Sequence, residues 1–212
     1  LDVDLAEALA RDLDARLVIV RTSWPTLMDD LAAGKFDIGM GGITVTAARQ
    51  QAAFFSDPIL TDGKAPVARC EDKERFRTLA GIDREGVRVI VNPGGTNEAF
   101  ARANISRATL ILHRDNATVF EEIAAGRADV MITDAIETRI VEREYDGLCA
   151  TNPDAPFTQA EKAYLLPQDE VLSRLIFNRS MGELSPLQLA QLAAAAAELV
   201  GGGGGGGLVD SL

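Results

Sequence analysis

Two carboxylates three residues apart open a helix in the segment Thr133-Asp134-Ala135-Ile136-Glu137. At that spacing both side chains project from one face of the first turn. One reading makes Asp134 a ligand contact and Glu137 a proton donor. The other is structural, because Asp-x-x-Glu is close to a capping box, which stabilises a helix start without chemistry. The proton-donor reading contains a conflict. The helix dipole favours the ionised carboxylate by about 0.3–1 kcal/mol, whereas desolvation against apolar walls favours the protonated form. A general acid therefore works here only in a dry site, and Trp24 and Met131 are the residues that would keep it dry.

Two other segments are suited to anions. Gly41-Gly42-Ile43-Thr44-Val45-Thr46-Ala47-Ala48-Arg49 follows a strand-like run and ends on a guanidinium, which holds a carboxylate through two hydrogen bonds. The alternative is a surface arginine after a polar turn. Asn92-Pro93-Gly94-Gly95-Thr96-Asn97 joins a strand to a helix. Its glycines allow close approach of the backbone to a ligand, and the free N–H groups of a helix start favour an anion. Thr96 is expected to cap that helix and offer its hydroxyl. A tight turn with an N-cap and no ligand fits the same residues. Trp24, the only tryptophan, follows a strand-like run and suits a core position as well as a ligand wall. His113, the only histidine, reads as a surface-loop residue.

These residues sit at the junctions of alternating elements. A helix over about 3–14 leads to the β-branched run Leu17-Val18-Ile19-Val20. A helix from Pro25 to Ala33 ends at Gly34 and precedes a strand over Phe36 to Met40. A second series follows: strand 87–91, helix 96–104, strand 109–112, helix 118–125, strand 128–132 and helix 135–144. Short strands separated by helices imply parallel βαβ units, so the fold class is α/β. In such sheets ligands bind beyond the carboxyl ends of the strands. The two series echo each other, "AAGKFDIGM" in one and "AAGRADVMI" in the other. The echo predicts two similar lobes with the ligand held between them, and Lys162 to Leu166 would cross back.

Composition narrows the function. The chain has 212 residues, 47% of them apolar and 25% charged, and can bury a core. Its net charge of −11, with no Lys/Arg block, argues against nucleic acid as a partner. No apolar run is long enough for membrane insertion. One histidine and two cysteines exclude a four-ligand Cys/His zinc site, and no metal is expected. Cys70 and Cys149 each end a short extended run, and are either a disulfide or two thiols by compartment. The first residues already read as helix, so the N-terminus is expected to be truncated or processed. Residues 201–212 carry seven consecutive glycines and by composition are expected to be a flexible, disordered tail.

The stretch "GITVTAARQQAAFFSDPIL" resembles the signature of extracellular solute-binding proteins that serve amino-acid ABC transporters. Within them, "TSWPTLMDDLA", "VNPGGTNEAFARAN", "HRDNATVFEEIAAGRADVMITDAIETR" and "AEKAYLLPQDE" resemble an enzymatic branch, the periplasmic cyclohexadienyl dehydratases. The resemblance covers about residues 1–170. The family's first strand and the loop after it have no counterpart here, and the region after about Ser180 departs from the pattern.

What the resemblance implies is a two-lobed periplasmic-binding-protein-like fold of type II. One lobe would take about residues 1–65 plus 163–200, and the other 66–162. Gly42, Thr44 and Arg49 would hold a carboxylate, with Gly95 and Thr96 supplying further donors. Asp134 would take an amino group, Glu137 would be the general acid, and Trp24, Asn92 and Met131 would complete the site. The implied substrates are prephenate and L-arogenate, converted to phenylpyruvate and L-phenylalanine without cofactor. A non-catalytic amino-acid-binding protein is the other reading, and Glu137 separates the two. The resemblance further implies export to the periplasm, a disulfide between Cys70 and Cys149 within the second lobe, and self-association.

Overall fold

The computed structural model of the chain describes residues 2–168. In order, its elements are α1 (Asp2–Asp12), α2 (Leu27–Ala32), α3 (Ala47–Gln50), β1 (Phe54–Phe55), β2 (Leu60–Asp62), β3 (Lys64–Arg69), α4 (Leu79–Ile82), β4 (Arg88–Val91) and α5 (Thr96–Asn104). They continue with β5 (Thr109–Leu112), α6 (Val119–Ala124), β6 (Val130–Asp134), α7 (Ala135–Glu144), β7 (Leu148–Ala150), β8 (Ala160–Lys162) and β9 (Leu165–Leu166). Of the described residues, 2–23, 27–59 and 162–168 form one compact unit, and 24–26 with 60–161 form a second. The expected glycine tail lies outside the described residues.

The second unit is built on a five-stranded sheet in the order β5-β4-β6-β3-β7. The strands β5, β4 and β6 are parallel, while β3 runs antiparallel to both β6 and β7. The sheet is therefore mixed, not the all-parallel array that the alternation of elements suggests. The βαβ rule itself holds: α7 joins β6 to a parallel β7, and β3 is inserted between them.

Residue alternation along the strands supplies both faces with core. Val89, Val91, Val130 and Ile132 pack with Phe76, Ile82 and Ala101 on one side. Ile90 and Met131 pack with Val119, Phe120, Ile123 and Val141 on the other. Period-two side-chain alternation sends neighbouring residues to opposite faces, so a central strand buried on both sides is apolar throughout. At the end of the sheet away from Asp134, Cys70 and Cys149 form a disulfide that ties β3 to β7. The expected bond is present.

The first unit is poorer in strands. Its helix α1 buries Leu5 and Leu9 with Tyr164, whose hydroxyl donates to Asp2 at 2.8 Å. Burial, then the neighbouring Asp2 carboxylate, holds the Tyr164 phenol far above its ordinary pKa. Strands β1 and β9 pair antiparallel, while β2 pairs with β8 in the second unit. Two expected strands do not form. Leu17 to Val20 enter no ladder among the described residues, and Ile19 is 71% exposed. Phe36 to Met40 contribute one isolated bridge, Gly39 to Leu165. β-branched residues favour a strand, but a strand exists only against a hydrogen-bonding neighbour. The crossing strand expected over Lys162–Leu166 is likewise divided between β8 and β9.

Candidate active site

Residue Asp134 is the last of β6 and also the N-cap of α7, yet its side chain makes no capping bond. The first-turn N–H groups are satisfied from elsewhere. Gly63 accepts from Ala135 N–H through its carbonyl at 2.8 Å, and Asp62 accepts from Ile136 N–H at 3.3 Å. The capping-box alternative is thus unoccupied by its own aspartate. Asp134 turns instead to Lys64, its register partner on β3, with Nζ 2.7 Å from Oδ1.

Lys64, with Asn97 and Thr133, is a residue that the sequence reading does not single out. It is 5% exposed and donates to Thr96 Oγ1 at 3.0 Å, to Asn97 Oδ1 and to Asp134 Oδ1. Those are three donors for three acceptors, which is how a desolvated ammonium avoids an uncompensated charge. Beside it, Asn97 Nδ2 donates to Thr133 Oγ1 at 3.0 Å, and the Thr133 hydroxyl donates to Glu137 Oε2. Glu137 is half-buried while Thr133 is fully buried. The only signal for Lys64 was a lysine opening an otherwise apolar run straight after a glycine.

The wall at the end of β4 is set by close packing. Gly94 has φ +81°, and a Cβ there would lie 2.7 Å from the Pro25 backbone, so only glycine fits. Trp24 packs over Gly95, its Cγ 3.4 Å from where a Cβ would stand. Glu98 closes the loop by accepting from Gly94 N–H at 2.6 Å and from Arg102 Nε at 2.8 Å. The bond from Gly94, then that from Arg102, holds the Glu98 carboxyl below the usual carboxylate range. Gly95, not Thr96, is the N-cap of α5. Thr96 lies inside the helix, and its hydroxyl goes to Lys64, which corrects the expected cap. Asn92 is 3% exposed and donates through Nδ2 to the His113 carbonyl at 3.4 Å. Its Oδ1 is a buried acceptor with no hydrogen-bond partner among the described residues. Such a group costs about 1–3 kcal/mol when left unsatisfied.

In the first unit Gly42 has φ +61° and starts the turn into Thr44 and α3. Thr46 caps α3 by accepting from Arg49 N–H at 3.2 Å. The Arg49 guanidinium donates to the Thr44 carbonyl at 2.8 Å, and buried Lys162 donates to the Thr44 hydroxyl at 2.7 Å. Two cations thus converge on one threonine in an acidic chain. Met131 is placed differently from the other expected residues, within the core cluster of the second unit. That unit joins Trp24 to Gly95, Thr96 to Asp134 through Lys64, and Asn97 to Glu137 through Thr133.

The strand-to-helix junction bearing two carboxylates thus lies beside a glycine-rich helix start. The chain belongs to the bacterial extracellular solute-binding proteins, family 3, whose model matches residues 1–149. Among its relatives, the cyclohexadienyl dehydratase of Pseudomonas aeruginosa is 54% identical over 175 residues, covering 82% of this chain and 65% of that protein. The histidine-binding periplasmic protein of Salmonella typhimurium is 27% identical over 138 residues, covering 64% of this chain and 52% of that one. The chain thus spans less than two thirds of the length of either relative.

A solved ancestral amino-acid-binding protein, described as a precursor of cyclohexadienyl dehydratase, matches with a TM-score of 0.83 at 26% identity. That match covers 92% of this chain and 83% of the ancestral one. An arginine-bound transporter substrate-binding protein from Streptococcus pneumoniae shares the fold at a TM-score of 0.84 and 19% identity, covering 94% of this chain and 84% of its own. The expected periplasmic-binding-protein-like α/β class is borne out. No helix among the described residues is long and apolar enough to cross a membrane.

Proposed function

We propose that this chain carries the site of a cyclohexadienyl dehydratase, acting on prephenate and on L-arogenate in the periplasm. The observation that carries the reading is Glu137. It is a half-buried acid on the first turn of α7, held by Thr133, in a chain 54% identical to a relative named for that reaction. Glu137 gives its proton to the ring hydroxyl as the C–O bond breaks and water leaves. The ring carboxylate departs as carbon dioxide, and the electrons of its C–C bond complete the aromatic ring. Aromatisation supplies the driving force, so the protein has only to orient the dianion and deliver one proton.

The anion clamps in this reading are Arg49 with Gly42 and Thr44 on one lobe, and the Gly95–Thr96 helix start on the other. In this reading Trp24 lies against the glycine loop as an apolar wall, Met131 supports β6 from the core, and the buried acceptor Oδ1 of Asn92 is assigned to a donor on the substrate. Asp134 takes the amino group that arogenate has and prephenate lacks.

The other reading is a transport receptor for an amino acid. Glu137 tells against it, since a transport receptor has no use for a half-buried acid on the first turn of α7. Phenylpyruvate release from prephenate, followed by its absorbance, separates the two. The purified chain is expected to turn prephenate over. Amino-acid binding without turnover would award the site to transport.

A further inference from the structure

The geometry points to Asp62 as a positioning residue for the general acid, an inference that rests on the dehydratase reading. Asp62 is the last residue of β2 and lies apart from the acid in sequence, but it supplies the cap that α7 lacks. Its Oδ2 accepts from Ile136 N–H at 3.3 Å, and its Oδ1 accepts from Gly63 N–H at 2.8 Å. The next residue continues the clasp, since the Gly63 carbonyl accepts from Ala135 N–H at 2.8 Å. The residue after that is Lys64, which holds Asp134. Three consecutive residues therefore grip the first turn of the helix on which Glu137 stands.

The grip is itself anchored. A Cβ on Gly63 would lie 1.8 Å from the Thr158 carbonyl oxygen, so this segment lies flush against its neighbour. Lys64 N–H donates to Thr158 Oγ1 at 3.0 Å, and Phe157 N–H donates to the Lys64 carbonyl at 2.7 Å. An aspartate fixed by its own backbone and bonded to a helix start sets where that start lies. Glu137 is one residue beyond the N–H that Asp62 holds. Misplacing a proton donor by a fraction of an ångström lowers the rate without weakening substrate binding elsewhere.

The test is a double-mutant cycle on the whole chain, with prephenate as substrate and folding matched by circular dichroism. Asp62→Ala is expected to lower kcat by about tenfold while KM stays within about twofold, the scale of a lost cap in a geometry-limited step. Asp62→Asn, which keeps one acceptor oxygen for Ile136 but none for Gly63, is expected to recover only part of that loss. In a Glu137→Gln background, Asp62→Ala should change the residual rate by less than about twofold, because the two residues act through one group. An unchanged kcat in Asp62→Ala, or an equal loss in both backgrounds, would overturn the role of Asp62 alone. A wild-type chain without turnover would overturn the dehydratase reading and this role with it.

Discussion

The second unit and the first differ in how their strands find partners. In the second, every strand of the sheet has a neighbour, both faces are covered by helices, and a disulfide ties two strands. In the first, the strands among the described residues, β1 and β9, are two residues long, and the most strand-like run in its sequence stands exposed. Sequence preference is alike in Leu17-Val18-Ile19-Val20 and Val87-Arg88-Val89-Ile90-Val91. The outcome differs because a strand is completed by its neighbours, and among the described residues only the second run has them. Glu137 and its network stand on the unit that carries the five-stranded sheet.

The largest effect that would test this contrast is removal of the disulfide. It closes a separation of 79 residues in sequence, and cross-linking over that span is worth about 4 kcal/mol in the chain-entropy picture. Cys70→Ser with Cys149→Ser should lower Tm by roughly 10 °C in thermal unfolding, at about 2–4 °C per kcal/mol. Thiol titration of the unreduced, denatured chain should find no free thiol from this pair. Two thiols would remove the staple from the account.

Core truncation gives the next contrast. Ile90 is 1% exposed in β4, whereas Ile19 is 71% exposed. Ile90→Ala should cost about 2–5 kcal/mol, and Ile19→Ala less than about 0.5 kcal/mol. Denaturant melts of the two variants read this directly. Equal costs would mean that the exposed run is buried in solution.

Legibility followed the same division. Helices α5 and α7 and strand β5 form where the periodicity predicts them, because each carries its own local signals. α5 begins at the glycine pair and α7 at the Asp-x-x-Glu segment. Strand β3 was only a short extended run, since its Lys64 and Pro66 disguise an element whose residues are nearly all buried. Of the site, Asp134, Glu137, Gly95 and Thr96 were legible from spacing. Lys64, Asn97 and Thr133 were not, because their roles arise from the β3–β6 register and the approach of α5, which no local pattern encodes. The expected strand over 17–20 fails for the opposite reason, since propensity is present and no partner stands among the described residues.

The smallest expected effect concerns acid. Glu98 titrates below its ordinary range in the folded chain, through its bonds from Gly94 and then Arg102. A depressed carboxylate contributes stability above its unfolded pKa and loses it as pH falls through the folded value. Stability should therefore decline below about pH 4, and Glu98→Gln should flatten part of that decline. Asp83 behaves alike, its pKa lowered to about 2 by backbone N–H groups of Ala108 and Arg107. Acid titrations of the wild type and Glu98→Gln by circular dichroism check the difference, and superimposable curves would remove Glu98 from the loop's support.

The central claim is that Glu137 is the proton donor. The most direct measurement compares kcat for prephenate in the wild type and in Glu137→Gln at matched folding and saturating substrate. The account predicts a fall of roughly 100-fold or more, the scale of a lost general acid, with KM little changed. A Glu137→Gln chain that releases phenylpyruvate at the wild-type rate would contradict it.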